Sequence, residues 1–96
     1  MIEGVKQIEV LVDSAVLGEQ VDSFVKSDVG QFLLERARVE QAEGYAELKT
    51  VSFQDAEGVR AAQNKVWRAE SIAQWLNEAI MSGVRAMEVL ESREDD

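Results

Sequence analysis

The stretch SDVGQFLLERARVEQAEGYAELK, Ser27–Lys49, decides the fold. Counted in sevens, it places Leu34, Gln41 and Leu48 in one column and Gly30, Ala37, Gly44 and the following Val51 in a second. Residues at that spacing share one side of a helix, because 3.6 residues make a turn. The other apolar residues, Val29, Phe32, Val39 and Ala46, fall on the opposite side, with Leu33 at the border and Phe53 beyond the end. The polar break at Lys26–Asp28 offers Ser27 or Asp28 as an N-cap. A helix is therefore predicted over residues 27–50, about 35 Å long. Being apolar on two sides, it has to be covered on both.

The first side is answered by the last part of the chain. Val59, Val66, Ala73, Ile80 and Met87 form one column at sevenfold spacing, and Ala62, Ala69, Leu76, Gly83 and Leu90 form another. All are apolar or small, which predicts a helix over residues 55–91, about 55 Å long, packed in coiled-coil fashion. The break TVSFQDAEG, Thr50–Gly58, holds Ser52 and Asp55 at capping-box spacing, with aspartate where glutamate is usual. A turn this short makes the two helices antiparallel neighbours. Glycine and alanine every seventh position let their backbones approach closely. Gln41 lies in mid-seam, where a polar residue fixes register at a cost in stability. In this register Arg36 and Glu70 are placed to pair.

The second side has no such answer. Trp67, Trp75, Met81 and Val89 also lie outside the seam of the last helix, so both long helices carry apolar residues on two faces. Tryptophan and methionine are enriched at protein interfaces. Val29, Phe32, Val39, Phe53, Trp67, Trp75 and Met81 are accordingly the candidate contact surface, and a homo-oligomer is expected. The competing reading has Trp67 and Trp75 covering the N-terminal segment inside one monomer. In that segment, Ile2–Leu17 gives a helical face from Val5, Ile8, Val12 and Ala15 or Val16. Gly18 is expected to interrupt it, leaving a turn and a short helix with Val21, Phe24 and Val25. The expected fold is all-α: a long antiparallel helical hairpin with an N-terminal helical segment at 1–26, a three-helix-type bundle. It forms a single domain over 1–96, with an acidic tail SREDD at 92–96.

Composition narrows the chemistry. The 96 residues hold no proline, which suits long helices, and no cysteine or histidine. Disulfides and thiolate sites are excluded, and the commonest general base and metal ligand is missing. The net charge of −9, with four lysines and six arginines scattered, disfavours nucleic-acid binding. Glu40, Glu43, Glu47 and Glu70 invite comparison with carboxylate-bridged dimetal bundles, but those sites also use histidine. A solvated charged face explains the same glutamates. The glycines form no phosphate loop, and Ser14, Ser23, Ser71 and Ser82 have no base to activate them. No enzyme activity, cofactor or metal is therefore expected. Neither a membrane span nor a secretory signal is legible, so a soluble protein inside the cell is expected.

The segments SDVGQFLLERA and QNKVWRAESIAQWLNEAIMSGVRAMEVL, between Ser27 and Leu90, resemble small, mostly uncharacterised helical proteins of tailed bacteriophages. The shared elements, a Gly before a Leu-Leu-x-Arg-Ala turn and a Trp-Leu-x-x-Ala-Ile-x-x-Gly turn, are helix-packing features. The resemblance implies a phage context, in the host cytoplasm or the virion, and an association role with phage or host protein partners. It supplies no catalytic residue. A structural, assembly or adaptor protein is the leading expectation. The alternative is an anti-defence protein: an acidic inhibitor of a host immune protein, or an oligomeric sponge holding a signalling nucleotide between arginines such as Arg36, Arg60 and Arg68.

Overall fold

The computed structural model of the chain describes residues Ile2–Glu94, and every regular element among them is helical. Helix α1 spans Ile2–Lys26, α2 spans Asp28–Thr50 and α3 spans Ala56–Glu94. The predicted hairpin helices agree with α2 and α3 to within a few residues. Ser92–Glu94 of the expected acidic tail continue α3, while Asp95 and Asp96 lie outside the described residues.

Two boundary expectations are corrected. Gly18 does not interrupt α1, which runs on as a single helix of 25 residues. Nor does Ser52 cap α3. The Asp55 carboxylate accepts from the Gly58 N–H at 3.0 Å and is the N-cap, while Ser52 Oγ accepts from Gln54 N at 3.2 Å inside the turn. At the α1–α2 junction, Ser27 N donates to Ser23 O and Phe24 O, and α2 then starts at Asp28.

Contacts gather into two compact units that share α3: Met1–Ser27 with Leu76–Asp96, and Asp28–Trp75. In the second unit α2 runs antiparallel to the first half of α3. Every position of its two predicted columns is buried or half-buried, with Gly30, Ala37 and Gly44 most enclosed. Ala62, Val66 and Ala69 meet them from α3. The approach is close: a Cβ added to Gly44 would lie 2.6 Å from Val66 Cγ2 and 3.2 Å from Val66 N.

In the first unit α1 packs antiparallel to the second half of α3. Gly4, Leu11, Ala15, Gly18 and Val25 form its inward stripe. Gly18 faces Gly83 so closely that a Cβ on either would lie 2.8 Å from the other's Cα. Of the face predicted from Val5, Ile8, Val12 and Ala15 or Val16, Ala15 is buried, while Val5, Ile8, Val12 and Val16 stay exposed beside the stripe. Along α3 the sevenfold columns also drift. Ala73 and Met87 are exposed, while Ile72 is half-buried and Ala86 is 3 % exposed in their stead. The two halves of α3 pack on different helices, first on α2 and then on α1, so one heptad line does not hold along its whole length.

Candidate interaction surface

The core that results is small. Among the described residues the buried apolar side chains are five alanines and one valine, Ala15, Ala37, Ala62, Val66, Ala69 and Ala86. Burying a methylene is worth about 0.8 kcal/mol, and a Leu or Phe side chain about 1.5–3 kcal/mol. An alanine seam therefore gains little from side-chain burial and relies on backbone approach. The large apolar residues lie outside it.

In the Asp28–Trp75 unit polar pairs flank the seam on both edges. On one edge Arg68 donates to Glu40, and Lys65 Nζ reaches Glu47 Oε1 at 2.7 Å, with Glu43 Oε2 at 4.0 Å. On the other, Glu70 Oε1 accepts from Tyr45 OH at 2.6 Å and Gln41 Nε2 at 3.1 Å. Glu70 thus meets Tyr45 and Gln41 where the sequence suggested Arg36, and Gln41 finds its cross-helix partner half-buried. The hydrogen bond from Arg68 holds the Glu40 carboxyl below its ordinary range. Glu47 raises the Lys65 ammonium, and Glu70 raises the Tyr45 phenol. Glu40 and Lys65 are half-buried while their partners Arg68 and Glu47 are exposed, so solvent still screens the pairs and they set register more than stability. Glu40, Glu43 and Glu47 are engaged by cations of α3, and among the described residues no group of three His, Cys, Asp or Glu is placed to hold a metal.

All seven candidate contact residues are exposed. Phe32 is 72 %, Phe53 89 %, Trp67 66 % and Trp75 61 % exposed, with Val29, Val39 and Met81 less so or similar. They do not form one patch. Phe32 and Val39, seven apart, lie on the side of α2 opposite the seam, and Trp67 and Trp75, eight apart, do the same on α3. The two outer stripes of this unit point away from each other. Phe53 projects from the turn between them, Val29 lies off the α2 stripe, and Met81 belongs to the first unit. Trp67 and Trp75 each keep about three fifths or more of their surface open. Ser71, midway between them on the same stripe, is 7 % exposed and donates to Trp67 O at 2.7 Å. Its large neighbours at i−4 and i+4 are the one sign of this burial legible in the sequence.

No helix among the described residues is long and apolar enough to cross a membrane. No family model, curated protein or solved structure matches the chain.

Proposed function

We propose that this is a non-enzymatic structural, assembly or adaptor protein of phage type, acting through helix-mediated self-association in the host cytoplasm or the virion. One observation carries the reading: the residue distribution is inverted. The buried apolar residues are alanines and a valine, whereas Phe32, Phe53, Trp67 and Trp75 lie in the open. Tryptophan is a preferred anchor of contact sites, and Trp67 and Trp75 stand on one outer stripe of α3. The thin alanine seam adds a reason, since a small chain with little buried volume gains stability from association.

Sedimentation and native mass spectrometry of the full chain test the proposal. Self-association predicts particle masses at multiples of 10.7 kDa, and Trp67→Glu or Trp75→Glu lowers the mass while circular dichroism at 222 nm is retained. If mass and helicity collapse together, the tryptophans hold up the monomer and the proposal fails. The sponge alternative gains no support from Arg68, which Glu40 already engages.

A further inference from the structure

The Met1–Ser27 and Leu76–Asp96 unit carries a second surface, and its two flanks differ in charge. One groove, about 500 Å³, runs beside the Gly18–Gly83 contact. Ile80, Val84 and Met87 floor it, and every charged residue lining it is an acid: Glu19, Asp22, Glu88 and Glu91. Asp22 holds Lys26 at 2.8 Å. Among the described residues Glu19, Glu88 and Glu91 meet no cation within 4 Å. Ile8, Val12 and Val16, on the turns before Glu19, extend the apolar part of this flank.

On the other flank two adjoining grooves, about 410 and 230 Å³, share Val10, Leu11 and Val89. Their charged lining is wholly basic: Lys6, Arg85 and Arg93. Arg93 donates to Gln7 Oε1 and Arg85 to Met81 O, both neutral acceptors. Asp13 and Glu78 share this side of their helices but lie outside the groove linings. In a chain of net charge −9, three of the ten cations thus gather on one side of one helix pair, opposite an acidic groove of like apolar character. Helical geometry puts the two on opposite sides: Val84 and Met87 fall to one side of the Gly83 line, Arg85 and Val89 to the other.

We propose that the acidic groove of one copy receives the basic flank of a second copy in a head-to-tail contact. Resting on the self-association reading, it names the faces that meet. Charge complementarity points to a second copy as the occupant, since every copy carries both an acidic groove and a basic flank of like apolar character. Because donor and acceptor flanks are different surfaces, the contact cannot close in a symmetric pair, and it builds a ring or an extending series.

Charge reversal on the full chain tests this. Arg85→Glu with Arg93→Glu leaves both flanks acidic, and Glu19→Lys with Glu88→Lys and Glu91→Lys leaves both basic. Each set is expected to weaken self-association at least about tenfold in sedimentation, given the cost of juxtaposed like charges. The fivefold variant, with the charges exchanged, is expected to restore it. Wild-type association should also weaken as salt screens the contact, a readout that does not depend on any variant folding. Loss in the one-flank variants without restoration in the exchanged one overturns the head-to-tail contact. So does wild-type association that salt leaves unchanged or strengthens. If the wild type associates and no reversal matters, this contact is wrong while self-association through the tryptophan stripes stands. A wild-type monomer at every concentration ends both proposals.

Discussion

Replacing Gly18 by alanine should destabilise the protein, while the same change at Gly4 should stabilise it. Alanine is favoured over glycine in a helix by about 0.5–1 kcal/mol, and this gain applies at both positions, less fully near a terminus. At Gly4 nothing lies within 4 Å of the added Cβ, so the gain is realised. At Gly18 the new methyl meets backbone: Gly83 Cα at 2.8 Å, Ala79 O at 3.0 Å and Gly83 N at 3.3 Å. No rotamer change relieves such contacts, so α1 and α3 must part by about 0.6 Å to regain ordinary van der Waals distance. A gap of that order forfeits about a quarter to a half of each facing dispersion contact, and overpacking of this kind costs about 1–3 kcal/mol. Set against the propensity gain, the net loss is about 1 kcal/mol, rising towards about 2 where the helices cannot part. For a chain of this length a 1 kcal/mol change moves Tm by about 4–8 °C. Thermal unfolding followed at 222 nm, with all variants at one concentration because association shifts Tm, should show Gly18→Ala falling and Gly4→Ala level or rising. A Gly18→Ala variant that melts above the wild type would refute the close backbone contact.

Further outcomes follow from the caps, the ion pairs and the outer faces. Asp55→Ala removes the acceptor for Gly58 N–H and should cost about 0.5–2 kcal/mol in urea unfolding, while Asp55→Asn keeps most of it. Arg68 lowers the Glu40 pKa from an ordinary value near 4.5, so the stability Glu40 contributes is fully present above that value and is lost as pH falls through the lowered one. Glu40→Gln should therefore flatten the acid limb of a Tm-against-pH curve. For Lys65 the sign reverses: its pKa is raised above 10.5, so its contribution holds below that value and is lost as pH climbs through the raised one, a limb that Lys65→Met should remove. Phe32→Asp should reduce particle mass with little change in helicity, since the ring is 72 % exposed in the single chain.

Much of the fold could be read from spacing alone. Hairpin boundaries and the α2 columns were legible because small and apolar residues at sevenfold intervals leave few other packings, and Asp55 was in view as a capping residue. Gly18 was misjudged because glycine has two uses. Read as a flexible residue it ends a helix, but here its missing side chain admits Gly83, and α1 continues. The inward face of α1 was hidden for a related reason. Its Gly4, Leu11, Ala15 and Gly18 stripe is less hydrophobic than the Val5, Ile8, Val12 and Val16 stripe beside it, and hydrophobicity points to the wrong one. The shift from Ala73 and Met87 to Ile72 and Ala86 was not legible because a strict heptad count draws one line along α3, whereas its two halves pack on different helices. The outer residues were identified correctly as lying outside the seam. Their division into two opposed stripes needed the helix pair itself, as did the separation of acidic from basic flanks, because Lys6 and Arg93 are far apart in sequence.

The central claim is that the outer apolar surface is covered by other copies of the chain. Native mass spectrometry of the full-length protein, released from volatile buffer over a range of micromolar concentrations, tests it most directly. Self-association predicts species at integer multiples of 10.7 kDa, shifting to higher multiples as concentration rises and carrying no additional mass. A single 10.7 kDa species throughout would contradict it.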